Sequence, residues 1–148
     1  MISFIIPAHN EQLWIAQCIA AIRTAMEAVS EIYEIIVVDD ASTDVTPRIA
    51  QEHRAQVVKV NYRQIAAARN GGARIAQGKI LFFVDADTLV NTEAIQAGVR
   101  ALQAGAVGGG CLFTYDCAVP LWAMILHLIA LALARPYLKG PVSEGTLK

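Results

Sequence analysis

No sign of charge dominates this chain: 12 lysines and arginines stand against 13 aspartates and glutamates in 148 residues, a formal net charge of −1. That balance offers no basic face to a phosphate backbone, so nucleic acid is excluded as an expected partner. Cysteine is scarce. Cys18, Cys111 and Cys117 form an odd set without metal-ligand spacing, which predicts small buried hydrophobes in a reducing compartment. Met1 runs straight into Ile2-Ser3-Phe4-Ile5-Ile6 with no basic segment before an apolar core, so no signal peptide is read and the cytoplasm is the expected compartment. Long apolar runs are lacking too. Leu121–Ala134 is interrupted only by His127, yet it falls short of the roughly 20 residues a bilayer span needs. It predicts a buried or interfacial helix, with contact at the cytoplasmic face of a membrane as an accompanying expectation. No Lys-Ser/Thr pair follows Gly71-Gly72, which excludes a P-loop there. No repeat, low-complexity tract or linker divides the chain, and its length suits one domain.

What is present alternates. Ile2–Ile6, Tyr33–Val38, Val57–Val60 and Lys79–Val84 are short apolar runs of the kind strands buried on both faces show. Pro7 is expected to end the first. Between them lie helical patterns. Ile15, Ile19, Ile22 and Met26 make one stripe, with Asn10 as its expected cap and Glu11 in its first turn. A second helix begins near Ser42 to Asp44, with Pro47 early in it. Gln64–Ala76 is alanine-rich, and Ile95, Val99 and Leu102 mark a further helix. Ala106–Phe113 is expected to return as a strand. Strands alternating with helices at this spacing predict an α/β fold, a mostly parallel sheet flanked by helices.

Ligands of such sheets bind at the carboxyl ends of the strands. Three polar clusters fall there: Pro7–Glu11, Asp39–Asp44 and Asp85-Ala86-Asp87. The last is the most telling. Two carboxylates at i and i+2 on an irregular strand end can converge on one hard cation, and Mg²⁺ or Mn²⁺ takes such oxygen ligands together with substrate phosphates and water. Left uncompensated, like charges at the mouth of a buried strand are unfavourable. Val38-Asp39-Asp40 repeats the acidic strand end about 45 residues earlier. Read as turn residues alone, these aspartates would have no reason to recur at strand ends.

Pro7-Ala8-His9-Asn10-Glu11, Val38-Asp39-Asp40-Ala41-Ser42-Thr43-Asp44, Ala68-Arg69-Asn70-Gly71-Gly72 and Asp85-Ala86-Asp87 together resemble the family 2 glycosyltransferases, from Met1 to about Gly110. The resemblance implies a GT-A fold and inverting transfer from a nucleotide-diphosphate sugar, with Mg²⁺ or Mn²⁺ as cofactor and a place in cell-envelope polysaccharide synthesis. It implies that Pro7, Ala8, Asn10 and Glu11 lie along the nucleoside, with Glu11 near the ribose. It gives Asp39 to the base and Asp40 to support of that pocket, and it sends Arg69 to the base or diphosphate. Asp85, with Ala86 beside it, contacts the ribose or a metal-bound water, and Asp87 ligates the cation, with Asp85 as its companion. A UDP-sugar is the favoured partner and a GDP-sugar the next. The donor half then occupies about 1–113, and 114–148 supplies an apolar helix and a tail leading towards an acceptor half. The family's acidic catalytic base is not found: Asp116 and Glu144 are the carboxylates after Phe113, and neither falls in the acceptor motif. This chain alone is therefore expected to bind donor, to transfer little, and to associate through Leu121–Ala134 as a homo-oligomer or on a membrane.

Other readings compete. A non-catalytic nucleotide-sugar-binding module would keep the same residues without an acceptor half. A sugar nucleotidyltransferase would want a glycine-rich basic loop after the first strand, and a receiver domain its acidic pair there; Pro7–Glu11 is neither. Singly, Asp44 suits a helix N-cap, Asn10 a cap as well as a ligand, Arg69 a surface ion pair, His9 and His53 solvent, His127 an apolar helix, and Gly71-Gly72 close packing.

Overall fold

The computed structural model describes residues 1–110. Four strands and four helices alternate: β1 (Ile2–Ala8), α1 (Ile15–Glu27), β2 (Tyr33–Asp40), α2 (Thr46–Glu52), β3 (Gln56–Val60), α3 (Ile65–Ile75), β4 (Ile80–Phe83) and α4 (Thr92–Gln103). All strand pairings are parallel, in the order β3-β2-β1-β4.

Both faces of the sheet are covered, which is why its strands are continuously apolar. On one face Phe4, Ile6 and Val37 pack against Ile15, Ile19 and Ile22 of α1, Ala50 of α2, and Ile95 and Val99 of α4. On the other, Ile5, Ile36 and Val38 meet Ala68 of α3. α3 approaches closely because Gly72 faces the sheet. A Cβ there would stand 2.5 Å from Ile5 Cγ2 and 2.9 Å from Val38 Cγ2. Gly72→Ala is therefore expected to destabilise the fold by about 1–3 kcal/mol through overpacking. A denaturation midpoint equal to wild type would contradict that contact.

Three expectations change. β1 does not stop before Pro7 but runs through it, with Pro7 registered on Val38. β4 pairs only with Ile2–Ile5, so beyond Ile5 β1 has a flank where a missing N–H is tolerated. Asn10 does not cap α1, which begins five residues later with Trp14 at its N-cap and no side-chain cap. The Glu11 carbonyl accepts the amides of Trp14 and Ile15 instead. Finally, residues 106–110 form no strand. The rest of the expected strand to Phe113, Cys111 and Cys117, the Leu121–Ala134 helix and the tail lie outside the described residues. Asp44 serves the start of α2 from one position before the N-cap it was expected to hold, which Val45 occupies with no side-chain cap: Asp44 Oδ1 accepts the amide of Thr46 at 2.9 Å, and Pro47 follows in the first turn. No helix among the described residues is long and apolar enough to cross a membrane.

Candidate functional site

The carboxyl ends of β1, β2 and β3 open onto a cleft of about 420 Å³. Pro7, Ala8, His9 and Glu11 form one wall, Asp40 the floor, and Arg63, Gln64, Ile65 and Ala68 the wall on the α3 side. The loops that frame it are held to one another. The Asn10 side chain accepts the Thr43 amide at 2.7 Å, and the Glu11 and Gln12 amides donate to Thr46 Oγ1 and Asp44 Oδ2. Asn10, Ala41 and Arg63 all have positive φ, at 59°, 56° and 51°. Only asparagine accepts that region readily, so Ala41 and Arg63 store strain beside the cleft.

Asp39 and Asp40 are both buried, at 3% and 5% exposure, but strand alternation sends them to opposite faces. Asp40 shares the face of Ile36 and Val38 and reaches the cleft, whereas Asp39 does not line it and accepts the Ser42 amide at 3.2 Å. Asp40 is also the organiser of the link between β3 and α3. Its Oδ1 accepts the amides of Tyr62 (2.6 Å) and Arg63 (2.9 Å), and its Oδ2 that of Gln64 (3.1 Å). Burial pushes this carboxyl up, but the three amides and the Arg63 charge more than offset it and hold it below its ordinary 3.8.

Across β1, at the end of β4, the second acidic cluster is differently employed. Arg69 Nη2 donates to Asp85 Oδ1 at 2.5 Å, while Arg69 Nε is buried with no partner among the described residues. Beneath, the Cys18 thiol donates to the Asp85 carbonyl at 3.6 Å; burial and then the charges of Asp87 and Asp85 push it up to about 12, so it stays a neutral donor. Ala86 is buried. Asp87 is exposed, and its carboxylate has no hydrogen-bond or ion-pair partner among the described residues. Glu11 links the two clusters: burial raises its pKa, and Asp87, Asp44 and Asp85 add to the rise against His9.

No three His, Cys, Asp or Glu side chains among the described residues form a metal cage. The oxygen donors nonetheless fit a hard cation held by one or two carboxylates and completed by ligand phosphates. Among the described residues nothing engages Asp87, whereas Asp85 can bind only if Arg69 releases it.

The carboxylates that are engaged rather than free make the fold acid-sensitive. Besides Asp40, burial raises but hydrogen bonds more strongly lower Glu34 (Ser3 hydroxyl, Gln77 and Gly78 amides) and Asp44 (Thr46, Gln12). Their folded pKa values lie below the ordinary 4.5 and 3.8, so the stability they contribute is present above those values and lost as pH falls through the folded ones. Thermal midpoints are expected to fall steeply below about pH 4, and less so in Asp40→Asn. A midpoint unchanged between neutral pH and strong acid would contradict this.

Of the residues around the cleft, Arg63, Gln64 and Ile65 carry no motif, and His9, although within the Pro7–Glu11 motif, was expected to face solvent. His9, set aside as a loop histidine, stands with Nδ1 2.8 Å from the Asp40 carbonyl oxygen. Arg63, Gln64 and Ile65 follow β3. Their position past a strand end was the available signal, but no acidic pair stands there to draw attention.

The model of the family described as Glycosyl transferase family 2 matches residues 3–143. A validoxylamine A glucosyltransferase of Streptomyces hygroscopicus subsp. jinggangensis is 29% identical over 126 residues, covering 78% of this chain and 29% of that protein. Glycosyltransferase AglE of Haloferax volcanii is 32% identical over 123 residues, covering 77% of this chain and 40% of AglE. The chain thus spans well under half the length of these curated relatives. Among solved structures, the mannosyltransferase PcManGT of Pyrobaculum calidifontis, in complex with GDP-Man and Mn²⁺, superposes with a TM-score of 0.68 at 28% identity, covering 76% of this chain and 35% of its own. Glucosyl-3-phosphoglycerate synthase of Mycobacterium tuberculosis, with Mn²⁺ and UDP-glucose, gives 0.64 at 26%, covering 92% and 50%. The parallel sheet flanked by helices is that of GT-A enzymes. With the family match extending over nearly its whole length, the chain belongs to glycosyl transferase family 2.

Proposed function

We propose that this chain supplies the donor and metal site of a glycosyltransferase that moves a sugar from a nucleotide diphosphate to an acceptor. The observation that carries it is the pairing, on one rim of the sheet, of a cleft floored by Asp40 with the Asp87 carboxylate, which has no partner among the described residues. The base sits against Asp40 between the Pro7–Ala8 wall and Ile65–Ala68. Asp40 takes this role from Asp39, because only Asp40 lines the cleft. Three of the roughly four acceptor positions of its carboxylate hold backbone amides, which leaves one for an imide N–H. Glu11, between cleft and acidic loop, accepts from ribose hydroxyls. Asp87 holds the cation. When bound, Mg²⁺ or Mn²⁺ neutralises charge on the departing diphosphate. Arg69, once Asp85 is engaged by ligand, offers a planar fork to phosphate. The Mn²⁺ and the UDP-glucose and GDP-Man complexes of the related structures support the same ligand classes here.

Calorimetric titration of UDP and GDP, each with Mn²⁺ and with EDTA, tests the proposal. Saturable binding of at least one diphosphate that EDTA removes is the expected result. No binding of either nucleotide with Mn²⁺ present would overturn it.

A further inference from the structure

α1 turns a buried face to the sheet, made of Ile15, Cys18, Ile19, Ile22, Ala25 and Met26. Cys18, 0% exposed, is the member of that face that carries a hydrogen-bond donor, and its thiol donates to the Asp85 carbonyl at 3.6 Å. A thiol joins an apolar body to a weak donor, which suits a place where packing and one hydrogen bond are needed together.

What that bond holds is the turn that carries the acidic pair. β4 ends at Phe83, and the Val84 amide still donates to the Ile5 carbonyl at 3.0 Å. From Asp85 onward the chain has left the ladder and closes on itself, with the Thr88 amide donating to the Asp85 carbonyl at 2.9 Å. A turn held by that bond alone would pivot about Val84 and carry the Asp87 carboxylate with it. Two contacts on the α1 side oppose the pivot. Ala86, 4% exposed, lies in the same apolar cluster as Cys18. The Asp85 carbonyl, with one lone pair on Thr88, gives the other to Cys18.

Asp87 is exposed, and no partner among the described residues fixes its carboxylate, so the main chain before it decides where it stands. Arg69 restrains the Asp85 side chain, a restraint that ends when a ligand draws Arg69 away. The thiol acts on the main chain and remains.

We infer that Cys18 is a positioning residue of the cation site: its thiol anchors the Asp85 carbonyl and thereby sets the place of the Asp87 carboxylate. The inference rests on the donor-site reading above.

The test compares wild type with Cys18→Ser, Cys18→Ala and Cys18→Val. Mn²⁺ binding at saturating UDP is followed by electron paramagnetic resonance, beside thermal melts and a uridine titration. Serine keeps a donor, whereas valine fills the space without one and covers the case in which the alanine variant fails to fold. Ala and Val are expected to weaken Mn²⁺ about 10-fold, the low end of what loss of an indirect partner of a bound metal costs, since a thiol is a weak donor. Ser should stay within about threefold of wild type. The melts should rank the other way, with Val near wild type and Ser below it, because a smaller polar group in an apolar cluster costs packing. Uridine, which lacks the diphosphate, should bind all four proteins alike. Mn²⁺ affinity that follows the melting order, or that is equal in all four, overturns the inference. Uridine binding that weakens together with Mn²⁺ overturns it too, because Cys18 would then support the fold at large. Wild type that binds no Mn²⁺ with UDP present overturns the donor-site reading itself, and this inference with it.

Discussion

Replacing Asp87 with alanine is expected to weaken nucleoside diphosphate binding at least about 100-fold and to abolish its dependence on Mn²⁺, since removal of even an indirect partner of a bound metal costs about 10–100-fold. Asp87 has no structural employment among the described residues, so the loss should come without a change in thermal midpoint. The contrast with Asp85 is informative. Asp85 neutralises Arg69, whose Nε is already buried and has no partner among the described residues, so Asp85→Ala should cost stability as well as affinity. Titration of the variants with and without EDTA, beside thermal melts, separates the two. Unchanged affinity in Asp87→Ala would remove the metal from this strand end.

Asp40→Ala is the second large effect, and it should appear in both stability and binding. Three backbone amides lose their acceptor at once, in a link that places Arg63 and begins α3. With water able to reach part of that link, a loss of about 3 kcal/mol is expected, against about 1–2 for Asp40→Asn, which keeps one acceptor oxygen. Urea denaturation measures it. A loss below about 1 kcal/mol for the alanine variant would show that the amides find other partners. In Asp40→Asn, which is expected to stay folded, uridine nucleotides should still lose affinity because an amide oxygen accepts an imide N–H more weakly than a carboxylate.

The order of elements was legible in the sequence because burial on both faces makes each strand a short unbroken apolar run, and Ile15, Ile19 and Ile22 leave a helical stripe beside them. The strand-end position of the acidic clusters was legible for the same reason. What composition and spacing do not carry is which of two adjacent aspartates faces which side. Asp39 and Asp40 look alike in sequence, and only the exact end of β2, two residues beyond Val38, sends Asp40 to the α3 face. Asn10 looked like a cap because it precedes a helical stripe. A turn over residues 11–14 intervenes, and its side chain is spent instead on Thr43, thirty-three positions away. Such long-range partners leave no local trace. Arg63 was hidden likewise: its neighbours in space are His9 and Asp40, from two other strand ends.

The central claim is that base and metal are bound at opposite ends of one rim, β2–β3 for the base and β4 for the cation. Amide NMR spectra of the chain titrated with UDP, first with Mg²⁺ and then with traces of paramagnetic Mn²⁺, address it directly. The account predicts that UDP shifts the amides of Asp40 and of Tyr62 to Ile65, and that Mn²⁺ broadens Asp85 to Thr88 and Glu11 well before them. Broadening that begins at Tyr62 to Ile65, or that spares Asp85 to Thr88, would contradict it.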